Sequence, residues 1–137
     1  MEIKSILNKP YTEEQKMDFI VEQNHTLGYT IKETEIALEA WGYTQEEKEE
    51  QERERISHLT CTKRVLILIL EQLGLDYFEQ IEPLINSNRQ AKLEWELCVE
   101  LERCNPLLDT VGSQLGLTPT QIDNVFKYAN GEIETLN

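Results

Sequence analysis

Leu59–Leu73, LTCTKRVLILILEQL, holds six consecutive branched aliphatic residues from Val65 to Leu70, the most apolar run in the chain. A run this short suits a buried strand or the middle of a buried helix, and periodicity alone does not separate the two. The flanks predict a helix. Thr60 or Thr62 is placed to cap it, Lys63 and Arg64 fall in its first turn, Glu71 and Gln72 continue it, and Gly74 suits the position just past its end. The β-branched side chains pull the other way, toward a strand. On a helical wheel only Arg64 and Glu71, with Lys63 and Gln72 at the margin, turn toward water. The segment is therefore expected to be the hub on which later helices pack, and a polar residue at Ile67 or Leu68 is expected to abolish folding.

Downstream, the pattern reads as consecutive short helices. Asp76 can cap Tyr77 to Ile85, with Pro83 bending or ending that helix early. Ser87 can cap a long helix from about Asn88 to Cys104, in which Lys92, Glu96, Glu100 and Arg103 form a narrow polar arc. Inside the otherwise apolar arc, Glu94 falls between Leu97 and Leu101, and Glu102 falls near Ala91 and Trp95. Asn105 with Pro106, and Thr118 with Pro119, are helix-start signals, and Gly116 and Gly131 are stops.

Upstream, Met1 to Asn8 reads as a short strand or extended arm. Thr12 and Gln15 have capping-box spacing and predict a helix from Glu13 to about Asn24, closed by Gly28. YTIKET and IALEAWGY, within Tyr29–Tyr43, read as a small β-hairpin, with a helix over Glu33 to Ala40 as the alternative. Thr44 to Glu47 repeats the capping-box spacing and opens a stretch with no apolar residue before Ile56, as expected of an exposed connector helix.

The expected fold class is thus mainly α. It comprises a compact bundle of short helices over the C-terminal two-thirds, a small N-terminal α+β unit of a helix plus the hairpin, and a charged connector helix. The expected divisions are residues 1–43, 44–58 and 59–131, followed by a frayed tail at 132–137.

The 137 residues carry 13 Lys plus Arg against 26 Asp plus Glu, a net charge of −13. The excess is even along the chain, with 7 basic and 14 acidic residues in the first 60 positions and 6 and 12 in the rest. Such a surface repels phosphate backbones and anionic membranes, so no direct nucleic-acid or membrane partner is expected. Solubility alone explains such a charge, and a basic protein is its natural complement. Three cysteines, Cys61, Cys98 and Cys104, and an N-terminus without an apolar leader predict a reducing cytoplasm. The longest apolar run falls far short of the ~20 residues a spanning helix needs.

No constellation declares a chemistry. QLGLTPTQIDNVFKYAN has a helix-turn-helix layout, yet its second helix offers only Lys127, beside Asp123, to a phosphate backbone. His58 and Cys61 have metal-pair spacing without a second pair, and no third group orients them as a catalytic dyad. No metal, cofactor or catalytic residue is expected, and the chain is expected not to be an enzyme. Gly112 and Gly116 fit close helix packing and a helix end better than a phosphate loop. The candidate partner-binding residues are Trp41, Tyr43, Glu94, Trp95 and Glu102: aromatic anchors and acids suited to a basic protein.

LEAWGYTQEEKEEQERERI, TKRVLILILEQLG, EWELCVELERCNPLLD and VFKYANGEI resemble small uncharacterised proteins encoded among the tail genes of Firmicutes prophages. The likeness covers most of the chain and carries no catalytic or ligand motif. It implies an assembly factor or minor accessory component of the tail, near the fibre or baseplate, that binds a tail protein in the host cytoplasm and can stay with the virion. The alternative is an acidic, phosphate-mimicking inhibitor of a host nucleic-acid-handling defence protein. An apolar central helix is also compatible with a homodimer.

Overall fold

The computed structural model describes residues 1–136. Its contacts divide the chain into two units, Met1–Gln51 and Glu52–Asn137.

In the first unit, β1 (Glu2–Asn8) is followed by α1 (Glu13–Ile20), a π-helical turn at Val21–Thr26, β2 (Thr30–Glu33) and β3 (Ala37–Gly42). The Thr12–Gln15 capping box forms, with the Thr12 amide donating to Gln15 Oε1 at 2.9 Å and the Gln15 amide to Thr12 Oγ1 at 3.1 Å. The hairpin forms as well. Thr34 closes it, its hydroxyl accepting from the Ala37 amide at 3.1 Å while its own amide donates to the Ala37 carbonyl at 2.8 Å. β3 lies between β1 and β2 and is antiparallel to both.

Alternate residues of β3 face opposite ways, and cross-strand partners share a face. Leu38 and Ala40 are fully buried and pair with Leu7 and Glu33, and with Ser5 and Ile31. Gly42 continues that face, where a Cβ would come within 2.8 Å of the Tyr29 ring. Any side chain at 42 would displace that ring.

α2 (Gln45–Ser57) crosses the boundary between the units. Its start is a second capping box, with Thr44 N donating to Glu47 Oε1 at 3.0 Å and Glu47 N to Thr44 Oγ1 at 3.1 Å. Ile56 is its one buried residue.

The second unit corrects the expected fold class. It holds β4 (Thr60–Thr62), α3 (Lys63–Gln72), a π-helical turn at Tyr77–Ile81, α4 (Glu82–Asn86) and α5 (Arg89–Leu97). β5 (Glu100–Glu102), α6 (Pro106–Gln114) and α7 (Pro119–Ala129) complete it. Among the described residues 17% lie in strands of two small sheets beside seven α-helices, so the fold is α+β and not a mainly α compact bundle. The expected long helix stops at Leu97, because Cys98 is extended and the chain returns as β5 to pair antiparallel with β4. Both short strands bury only their middle residue, Cys61 in TCT and Leu101 in ELE. Three-residue alternations of this kind are concealed inside a longer helical pattern, and the pairing partner lies about forty residues away, beyond any local signal.

The same pairing shortens the central helix, which starts at Lys63 with Thr62 as its cap. Leu66, Ile69 and Leu70 form its buried face, whereas Leu68 is 50% exposed. The hub is therefore one stripe of α3 rather than its whole surface, and Leu68 lies outside it. Around that stripe pack Ile81, Ile85, Leu101, Leu107, Val111, Ile122, Val125 and Phe126. At Gly112 a Cβ would meet Ile122 Cδ1 at 2.6 Å, so α6 and α7 approach closely there. Beyond α7, Glu132 accepts from Arg55 Nη1 and Nη2 at 3.0 and 2.8 Å, and Leu136 lies against the core.

Candidate partner-binding surfaces

Trp41 lies on the face of the N-terminal sheet opposite Leu38 and Ala40, in a row with Ile3 and Thr30. The neighbouring row is Ile6, Glu39 and Lys32. Ile3 and Ile6 are 41% and 49% exposed, and Trp41 is half-buried, its indole N–H donating to Glu39 Oε1 at 3.2 Å. Tyr43, just past the end of β3, is exposed. A register irregularity between Ile3 and Ser5 puts Ile3 and Ile6 on the same face and Leu7 on the other. Simple alternation groups Ile3 with Leu7, so Ile3 and Ile6 escaped the sequence reading. The irregularity has no local residue signature.

In the second unit the candidates Glu94, Trp95 and Glu102 do not form one surface, because the helix meant to align them ends at Leu97. Glu94 is exposed on α5. Glu102 lies on β5, where Oε2 meets His58 Nδ1 at 3.0 Å and Cys104 Sγ at 3.8 Å. Trp95 is half-buried, and its indole N–H donates to the Tyr77 hydroxyl at 2.9 Å, the two rings 6.1 Å apart. The Lys63 amine lies 5.5 Å over the Trp95 ring and donates to the Trp95 carbonyl at 2.7 Å. Lys63, Tyr77 and Trp95 line a cleft of about 490 Å³.

Other groups weighed for chemistry have structural partners. Cys61 points into the core, and burial pushes its thiol up to about 11, away from a reactive thiolate. Asp123, on the would-be recognition helix, accepts from Arg103 Nε at 2.7 Å. Among the described residues no three His, Cys, Asp or Glu side chains converge so as to hold a metal ion, and no helix is long and apolar enough to cross a membrane.

No family model, curated protein or solved structure matches the chain.

Proposed function

We propose that the chain is a non-enzymatic interaction protein that docks a basic protein partner on the open face of its N-terminal sheet. The observation that carries this reading is the composition of that face. The solvated side of an antiparallel sheet ordinarily alternates to polar residues, yet here Ile3, Ile6 and Trp41 stand together on it. Tryptophan beside aliphatic residues on an accessible face is the composition of an interface centre. The net charge of −13 favours a basic partner and steers its approach.

The sequence resemblance suggests a tail protein of the fibre or baseplate region as that partner, met in the host cytoplasm, with this chain acting in assembly or as a minor component. The phosphate-mimic alternative has less support. Arg55 donates to both Glu52 and Glu132, so a cation interrupts the acidic surface where those carboxylates meet.

Co-expression with the products of the genes flanking its own tests the proposal. A complex with a basic tail protein that survives size-exclusion is expected. Failure to bind any of them, or salt-sensitive competition with DNA for a nuclease, would count against it. Light scattering on the chain alone would show whether a second copy covers the face instead.

A further inference from the structure

The N-terminal sheet ends in β2 on one side and in β1 on the other, and the two edges are not equally covered. Beside β2, the Tyr29 amide donates to the Gln23 carbonyl at 2.8 Å and the Tyr29 carbonyl accepts from Asn24 Nδ2 at 2.8 Å, so the π-helical turn closes the start of that edge. β1 has no such cover. Its Lys9 amide donates to the Ile36 carbonyl at 2.8 Å, which makes Lys9 and Ile36 a hydrogen-bonded pair continuing the β1–β3 ladder. Alternation from that pair turns the amides and carbonyls of Leu7 and Ser5 toward β3, and those of Ile6 and Asn8 away from it. The outward groups of Ile6 and Asn8 have no hydrogen-bond partner among the described residues.

Features that blunt an open edge flank this stretch instead of occupying it. The register irregularity between Ile3 and Ser5 comes before it, and Pro10, without an amide hydrogen, comes after. Residues 5–9 between them form a regular edge that is complementary to itself. With Leu7 set opposite Leu7 of an antiparallel second copy, Ile6 of each copy faces Asn8 of the other, and their outward groups close into four hydrogen bonds. Ser5 then opposes Lys9, so no like charges meet. Leu7, half-buried on the Leu38 face, forms the close non-hydrogen-bonded pair at the centre.

We propose that two copies of the chain associate by antiparallel pairing of their β1 strands, centred on Leu7, into one six-stranded sheet. An extended segment of a basic protein fits this edge less well. Residues 1–10 carry Glu2 against Lys4 and Lys9, a net-positive stretch in a chain of net charge −13, and that sign eases the approach of two acidic copies. Pairing at the edge leaves the open faces uncovered and on the same side of the joined sheet. The inference therefore goes beyond docking at Trp41, because a partner would meet that face twice.

The test is light scattering together with backbone amide exchange on the full chain, over a concentration series reaching about 1 mM. A concentration-dependent dimer is expected, in which the Ile6 and Asn8 amides slow as the dimer fills while the Leu7 amide, which faces β3, is slow throughout. Asn8→Pro removes an outward amide without touching a bond to β3, so it should weaken dimerisation about tenfold or more with the sheet signals retained, whereas Asn8→Ala should not. A chain that stays monomeric over the series, a dimer in which the Ile6 and Asn8 amides stay fast, or an Asn8→Pro variant that dimerises like the native chain would overturn the proposal. The exchange pattern of the native chain decides the matter even where Asn8→Pro does not fold. Docking is read separately: Trp41→Ala should dimerise unchanged, and the folded Asn8→Pro monomer should still bind the co-expressed partner.

Discussion

Arg103 donates through Nε to Asp123 Oδ1 at 2.7 Å, which ties the end of β5 to α7. The same guanidinium donates to the Pro119 carbonyl at 3.2 Å and lies 3.3 Å from Asp109 on α6, while the Arg103 amide donates to the Leu59 carbonyl at 2.8 Å. With only 7% of its surface exposed, Arg103 acts as a polar staple between the β4–β5 ribbon and the α6–α7 corner. Arg103→Ala is expected to cost about 3 kcal/mol in urea unfolding, the lower end for breaking a buried pair, because Asp123 keeps access to water. A loss under about 1 kcal/mol would mean the staple is dispensable, as in exposed pairs.

Leu66 and Leu68 are two residues apart on α3 and are 4% and 50% exposed. Leu66→Ala should destabilise by about 2–5 kcal/mol, the range for emptying a core site. Leu68→Ser should leave a cooperative transition and cost under about 1 kcal/mol, since it removes little buried area. Equal losses at the two positions would show that α3 is buried all round.

These two positions show what could be read from the sequence. The caps at Thr12, Thr44, Thr118 and Asn105 were legible because each is a local pairing of a side chain with a free helix amide, and the stops at Gly74, Gly116 and Gly131 because each takes a positive φ. The β4–β5 pairing was not, since Cys61 and Leu101 meet across forty residues and each strand is three residues long. Missing it joined α5 to β5, which in turn placed Glu102 beside Trp95 on one imagined face. Trp41 and Tyr43 stay adjacent at the end of β3 because the hairpin that carries Trp41 is local, closed by Thr34.

The thiols should separate by environment. Cys104 is exposed and should react with a small disulfide reagent at neutral pH, whereas Cys61 should react only after unfolding. Burial raises the Cys61 thiol from 9.0 to about 11, so the unfolded chain releases that proton first. The contribution to stability is present below about pH 9 and declines as pH rises toward 11. Rapid labelling of Cys61 in the native protein would contradict its place in the core.

Glu33 collects Tyr11, Lys9 and Lys16: the phenol donates to Oε1 at 2.6 Å and the amines lie 3.5 and 3.8 Å away. The phenol hydrogen bond, then the two amines, hold the Glu33 carboxyl below its usual range, and the carboxylate pushes the Tyr11 phenol up to about 12. The Glu33 contribution should be present at neutral pH and lost as pH falls through its depressed value. That of Tyr11 should be present below pH 10 and lost as pH rises through about 12. Tyr11→Phe should raise the Glu33 carboxyl in an NMR titration, and an unchanged Glu33 midpoint would show the phenol is not its main partner.

Docking on the open sheet face depends most directly on Trp41 and its neighbours Ile3 and Ile6. Its decisive measurement is the affinity of the co-expressed basic partner for the native chain and for an Ile3→Ser, Trp41→Ala variant whose NMR spectrum shows the sheet intact. The expected result is a loss of about 2 kcal/mol or more, roughly thirtyfold in Kd, as for a centre of binding energy. An unchanged Kd in the folded variant would contradict docking on the open sheet face.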